Sequence, residues 1–291
     1  VADYALLAER VAAGAARKRP PRNVPAAPLM HGTGTFNALT NLMVGGSVRT
    51  LEGRHFDPVE LLDTIDRHEI NSMSIVGDAF ARPILRTLAE HPRRWDISSL
   101  RVLFSSGAML SAESKAQFLE LNQRLIIVDS LGSSEALSMA TSITTASGEQ
   151  TQRAGTAEFR LGKGSRVIVE DGGTFRDVVP GSGEVGRVAL AGYVPTGYYK
   201  DPEKSAATWV TLDGRRYSMP GDYAEVRADG TVKLLGRGSQ CINTGGEKVY
   251  PEEVEECLKT HPAVADAAVV GLPDERFGEA ITALVQLLPG A

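Results

Sequence analysis

Between Asp57 and about Ser130 the sequence switches repeatedly between helical spacing and short β-branched runs, and this alternation limits the fold more than any other feature. DPVELLDTIDRHEI places apolar residues on one helical face behind Asp57, a residue able to cap it, and NSMSIVG follows as a short strand. FARPILRTLAEH then predicts a helix, LRVLFSSG a strand, SAESKAQFLELN a helix opened by Ser111 with Ser114 in the capping-box position, and RLIIVDS a strand. Strand and helix in strict alternation predict a mostly parallel sheet flanked by helices, an α/β fold whose ligands sit beyond the carboxyl ends of the strands. The segments to watch are therefore SSGAML, after the strand at 100–104, and DSLGSSE, after the strand at 125–129.

After about residue 160 the pattern changes to RVIVED, GEVGRVALAG and YAEVRADGTVKLLG, short strands punctuated by Gly and Asp, which predict an antiparallel β subdomain. Asp229-Gly230 predicts a hairpin with a type I′ turn. Beyond Gly238, PEEVEECLKT predicts a helix with Pro251 in its first turn, and VADAAVVGL and EAITALVQLL predict two strands, the opening of a small α+β domain. The expected division is 1–237 for a large domain and 238–291 for a hinge and a truncated C-terminal domain. The chain's start, LLAERVAAGAARKRPPR, predicts a helix followed by an exposed Pro-rich loop. It lacks the continuous apolar core of a signal peptide, and Asp3 and Glu9 argue against a transit peptide.

A net charge of −5 with both signs interspersed provides no basic stripe, so nucleic acid is not expected as a partner. No apolar run approaches the ~18 residues of a membrane span. The two cysteines, Cys241 and Cys257, can form neither a disulfide framework nor a zinc site with paired spacing, which points to a reducing cytoplasm.

Several short stretches could carry chemistry. In LGSSEALSM a glycine lets backbone approach a ligand, two hydroxyls can donate to phosphate oxygens, and Glu135 can hold a magnesium ion; a serine cap opening a helix explains the same residues equally well. Glu135 stands where a serine-hydrolase elbow requires glycine. Asp222 in YSMPGDYAEV can accept hydrogen bonds from two ribose hydroxyls, or simply satisfy its own turn, and the stretch alone favours the turn. HGTGTFN lacks the third glycine of a dinucleotide loop, and its His31 is one of five histidines, none at metal-ligand spacing from another. GRGSQCINTGGEKVYPEEVEE packs four glycines into a polar strip leading to an acidic helix, compatible with a phosphate cradle, a metal loop, a plain linker or a hinge.

Taken in order, PLMHGTG, SSGAML, DSLGSSE, GYYKDPEKSA, YSMPGDYAEV and GRGSQCINTGGEKVYPEEVEE resemble the adenylate-forming superfamily, and within it the acyl-CoA synthetases, from about Pro28 to the chain end. The resemblance implies adenine packing at Gly107 and Ala108, with Asp129 near the adenine amino group. It implies phosphate binding by Gly132, Ser133 and Ser134, with Glu135 as the Mg2+ ligand. Asp222 would bind ribose, Arg237 ribose or phosphate, and Lys248 would contribute to cofactor binding. His31 would shape the acyl pocket, Gly245 and Gly246 the pantetheine tunnel, and Gly238 with Ser239 the hinge.

The implied activity is ATP-dependent adenylation of a medium- to long-chain or bulky apolar carboxylic acid, followed by acyl transfer to CoA. Transfer to a carrier-protein thiol, and a non-catalytic nucleotide- or acyl-binding module, are the alternatives; homo-oligomerisation stays open. The sequence departs from the family pattern at Leu131, where many members stack an aromatic ring on adenine, at Pro220, where threonine is usual, and at Ser239, where many carry Asp or Lys. The family's phosphate loop is absent before residue 28, and the chain ends at 288–291 before the family's catalytic lysine. A segment of a longer enzyme, inactive alone, is therefore expected.

Overall fold

The computed structural model describes residues 4–16, 20–147, 158–172, 174–238, 241–245, 247–288 and 290. It separates into two compact units: residues 1–131 with 142–151, and residues 132–141 with 152–291.

The first unit comprises α1 (Tyr4–Ala15), β1 (Arg22–Pro25), α2 (Gly32–Met43), β2 (Ser47–Val48), α3 (Pro58–His68), β3 (Ser72–Ile75), α4 (Gly77–Glu90), β4 (Val102–Ser106), α5 (Ala112–Leu121) and β5 (Ile126–Leu131). Its strands lie in the order β2-β1-β3-β4-β5, every pair parallel, as the alternating pattern requires. Asp57 caps α3 by accepting from the Val59 amide at 2.8 Å, and Ser111 caps α5 by accepting from the Ser114 amide at 3.2 Å. The apolar face of α3, Leu61, Leu62 and Ile65, is fully buried, each side chain contributing ~2 kcal/mol through lost apolar exposure.

Two elements in this unit were not expected. Asn23, Val24 and Pro25, following the Pro-rich stretch, form a buried strand, because proline is tolerated at a strand end where no ladder donor is needed. HGTGTFN, read as loop, opens α2: its buried face consists of the small residues Thr33, Gly34 and Ala38, so it shows no large-residue periodicity.

The second unit begins with a loop at 132–138 and contains β6 (Ala140–Thr144, of which Ala140 and Thr141 belong to this unit), β7 (Glu158–Leu161), β8 (Ser165–Asp171), β9 (Thr174–Asp177), β10 (Val185–Ala191), α6 (Pro202–Thr208), β11 (Trp209–Leu212), β12 (Arg215–Ser218), β13 (Asp222–Val226) and β14 (Val232–Arg237). These strands pair antiparallel in the order β11-β12-β10-β13-β14-β7-β6, with β8 bridging β10 and β9. β15 (Ile242–Thr244), β16 (Glu247–Val249), α7 (Pro251–Lys259), β17 (Val264–Asp274) and β18 (Gly278–Leu287) follow, forming a separate sheet ordered β16-β15-β18-β17. Glu255 ties α7 to this sheet by accepting from the Val269 amide at 2.8 Å.

The hairpin at Asp229-Gly230 exists, but its turn is not type I′. Only Gly230 has positive φ there, the loop closes through Gly230 N to Arg227 O at 2.9 Å, and the Asp229 carboxylate accepts from the Thr231 amide at 2.9 Å. The two-residue loop that does take positive φ at both positions is Asp213 (51°) with Gly214 (72°), joining β11 to β12. Loop length, rather than the Asp-Gly pair itself, decides the turn.

Candidate active site

In the first unit, β1 leads to the His31 segment and β4 runs into SSGAML, two of the segments that the sequence singled out. His31 is the exposed N-cap of α2, its Nδ1 accepting from the Thr33 amide at 3.2 Å. Thr33 in turn donates its hydroxyl to the Ser106 carbonyl at 3.2 Å, fastening the start of α2 to the end of β4. Gly107 follows with φ of 92°, and a Cβ built on it would stand 3.1 Å from His31 Cε1, so the imidazole lies directly on this glycine. Gly107 and Ala108 are exposed.

The start of α4 supports that loop from behind. Asp78 N donates to the Met109 carbonyl at 2.9 Å, Gly77 N donates to Ser105 Oγ at 3.2 Å, and Asp78 Oδ1 accepts from the amide and hydroxyl of Ser111 at 3.1 and 3.2 Å. Gly77 has φ of 52°, and a Cβ there would fall 2.2 Å from the Met109 carbonyl oxygen, an approach no other residue permits.

Asp129, opposite Ser105 in the β4–β5 ladder, is buried and forms an ion pair with the equally buried Lys115 of α5 at 3.1 Å. Burial pushes the Asp129 carboxyl upward from its ordinary pKa; the Lys115 ammonium opposes that rise, and Asp78 adds to it.

In the second unit, the 132–138 loop is folded on itself. Ser133 N donates to Ala136 O at 3.0 Å and Ala136 N to Ser133 O at 3.2 Å, and a Cβ on Gly132 would meet Ser138 N at 3.0 Å. Ser134 is exposed, while Ser133 Oγ is buried with no hydrogen-bond partner among the described residues. Glu135 Oε1 accepts from the Tyr198 hydroxyl at 2.6 Å. Asp222 is buried at the start of β13 and faces Arg237 across the β13–β14 ladder. Gly238 N donates to Gly221 O at 3.0 Å, and a Cβ on Gly238 would lie 2.4 Å from the Tyr223 ring. Gly245 is an exposed turn residue with φ of 58°, its amide donating to Phe277 O at 2.8 Å, and Lys248 pairs with Asn243 in the β15–β16 ladder. Ser239 and Gly246 lie outside the described residues.

Residues 5–199 match the AMP-binding enzyme family, and residues 253–291 match the AMP-binding enzyme C-terminal domain. The chain belongs to the AMP-binding enzyme family. A medium/long-chain-fatty-acid–CoA/3-oxocholest-4-en-26-oate–CoA ligase of Mycolicibacterium smegmatis is 44% identical over 274 residues, covering 93% of this chain and 48% of the relative. A 3-oxocholest-4-en-26-oate–CoA ligase of Rhodococcus rhodochrous is 45% identical, covering 91% and 47%. Among solved structures, the amide bond synthetase McbA of Marinactinospora thermotolerans superposes with a TM-score of 0.75 at 28% identity, covering 99% of this chain and 55% of that one. The anthranilate CoA ligase AuaEII, in complex with anthranoyl-AMP, gives 0.73 at 26% identity, covering 93% and 50%. The chain spans about half the length of the curated relatives it matches.

The residues suit the groups that an AMP-binding enzyme handles. Among the described residues no three His, Cys, Asp or Glu side chains gather into a metal cage. Magnesium usually takes only one or two carboxylates together with substrate phosphate oxygens, and the half-buried Glu135 is a carboxylate of that kind. The Ser133 hydroxyl is a donor without a partner among the described residues.

Two residues escaped the sequence reading. Lys115 shares a buried helical face with Ser114 and Phe118, and a lone lysine in register with a core phenylalanine is the available signal. Tyr198 lies inside GYYKDPEKSA, but nothing local marks its hydroxyl as reaching Glu135, 63 residues away.

Proposed function

We propose that this chain is part of an ATP-dependent acyl-CoA synthetase acting in the cytoplasm on a medium- to long-chain or bulky apolar carboxylic acid. The observation that carries the proposal is the 132–138 loop, which leaves the end of a parallel strand with an exposed Ser134, a Ser133 hydroxyl that has no partner among the described residues, and an oriented Glu135 carboxylate. The names of the two relatives, both of which include a steroid acid and one of which adds medium- and long-chain fatty acids, support an apolar acid as substrate.

A carboxylate is a poor acyl donor because its leaving group would be oxide. In the proposed reaction a substrate carboxylate oxygen attacks the α-phosphorus of ATP, and the bond to the β-phosphate oxygen breaks to release pyrophosphate. The CoA sulfur then attacks the acyl carbon of the mixed anhydride, AMP leaves, and the thiol proton passes to solvent.

Charge accumulates on phosphate oxygens in the first step, so pre-oriented donors accelerate it. Ser133 and Ser134 are assigned to those oxygens, Asp222 to the ribose hydroxyls, and Arg237 to ribose or phosphate, with Lys248 as a further cofactor contact. Gly107 and Ala108 provide a surface on which adenine can lie, with Asp129 and Gly132 on the chain that leads from β5 into the phosphate loop. His31, standing on Gly107, shapes the path of the acid. Glu135 would hold magnesium, which when bound supplies charge neutralisation at the phosphates.

The second half-reaction needs a wall that admits a thiol. Residues 238–291 are proposed to swing about Gly238 and Ser239, with Gly245 and Gly246 lining the pantetheine path.

Incubating the full-length protein with ATP, CoA and a panel of acids, followed by mass spectrometry, tests the proposal. Acyl-CoA and AMP are expected in equal amounts, and Glu135→Ala abolishes both. AMP formation with transfer only to a holo-carrier protein would replace CoA as acceptor, and no AMP with any acid would refute adenylation.

A further inference from the structure

We propose that Tyr198 is a positioning residue for the cation site: its hydroxyl fixes the Glu135 carboxylate in the orientation that binds a divalent ion beside the nucleotide phosphates. This rests on the assignment of Glu135 as metal ligand made above. The Tyr198 hydroxyl donates to Glu135 Oε1 at 2.6 Å, a charge-assisted contact at the short end of the range for hydroxyl donors.

Both ends of that bond are held. On the donor side, the Tyr198 amide donates to Ser205 Oγ at 2.8 Å, and Ser205 Oγ donates to the Asp201 carbonyl at 2.6 Å. The Tyr198 ring packs on the buried Trp209 with centroids 4.8 Å apart, and Lys204 Nζ sits 4.5 Å from the ring centroid. The preceding Gly197 has no room for a side chain, since a Cβ would stand 2.9 Å from Ser205 Oγ. On the acceptor side, the reciprocal Ser133–Ala136 hydrogen bonds and the buried Ala136 and Met139 immobilise the backbone that carries Glu135.

A half-buried carboxylate side chain can adopt more than one rotamer, and only some face the phosphates. A rigid donor on one oxygen selects among them. Partners of this kind, one bond removed from a metal, are commonly worth 10–100-fold in metal affinity.

The test uses the full-length protein, a non-hydrolysable ATP analogue and Mn2+ as the probe, with binding read by electron paramagnetic resonance. Tyr198→Phe keeps the ring on Trp209 and under Lys204 while removing the donor. It is expected to weaken Mn2+ binding about tenfold, leaving analogue affinity without metal and the melting temperature unchanged. Glu135→Gln is expected to weaken Mn2+ binding to the protein–analogue complex more than Tyr198→Phe does, leaving only the ion held by the analogue's phosphates. If Glu135→Gln weakens Mn2+ binding and Tyr198→Phe does not, the inference about Tyr198 fails and the assignment of Glu135 stands. If Glu135→Gln binds Mn2+ normally, both fall. A Tyr198→Phe protein that loses metal-free nucleotide binding in the same proportion as Mn2+ binding would overturn the positioning role in favour of a packing one. Ser205→Ala, which loosens Tyr198 without touching its hydroxyl, is a second variant expected to weaken Mn2+ binding a few-fold, and no change there would also count against the proposal.

Discussion

Replacing Lys115 by methionine isolates the buried ion pair beneath the candidate nucleotide loop. Lys115 is 1% exposed and Asp129 5%, and their charged atoms stand 3.1 Å apart. At an effective dielectric of about 20 this separation corresponds to ~5 kcal/mol of attraction, and removing one partner of a buried pair commonly costs ~3–5 kcal/mol because the other charge is stranded. Methionine conserves most of the volume, so the loss is electrostatic rather than a cavity. The Asp129 pKa is already raised by burial, and Lys115 is the main group opposing that rise.

Without Lys115 the folded-state pKa climbs further. The folded protein then retains a proton at pH values where the unfolded chain has lost it, and the stability supplied by that proton disappears as pH rises through the folded pKa. Urea unfolding should therefore show Lys115→Met losing ~3–5 kcal/mol at about pH 7.5 and clearly less at about pH 5, with a melting temperature roughly 10 °C lower at the higher pH. Adding Asp129→Asn to Lys115→Met removes the stranded charge and should recover most of the loss at the higher pH. A loss below ~1 kcal/mol, or one equal at both pH values, would refute the electrostatic reasoning.

Further expectations follow from the same geometry. Gly77→Ala meets the Met109 carbonyl at 2.2 Å with φ of 52°, so it should destabilise by at least ~2 kcal/mol and weaken nucleotide binding through the displaced 107–110 loop, as read by calorimetric titration. His31→Ala removes only an exposed cap and should reduce stability by no more than about 1 kcal/mol, while raising KM for the acid more than KM for ATP in steady-state kinetics. Ser239→Pro, at the proposed pivot, should retain pyrophosphate exchange yet slow thioester formation, and an equal loss in both half-reactions would count against a swivel there.

Periodicity made the parallel sheet legible, because α3 carries a cap and an apolar face, and α5 a cap, between short apolar strands. It did not expose α2, whose buried face is threonine, glycine and alanine, nor β1, which reads as a proline-rich connector. The turn at Asp229-Gly230 shows the limit of dipeptide rules: the same pair at 213–214 gives the two positive φ values because its loop has two residues. The candidate site residues are visible in sequence where small or charged residues interrupt a pattern, as at Gly107, Glu135 and Asp222. Their partners, Lys115 and Tyr198, are brought close only by tertiary packing, and a lysine in a helix or a tyrosine in a loop has many ordinary explanations.

Acid-dependent exchange of radiolabelled pyrophosphate into ATP by the full-length protein bears most directly on the central claim, since it reports acyl-adenylate formation without requiring CoA. Exchange is expected with medium- to long-chain or steroid-like carboxylic acids, absent without acid, and lost in Glu135→Ala. Exchange that ignores the acid, or that survives Glu135→Ala unchanged, would contradict it.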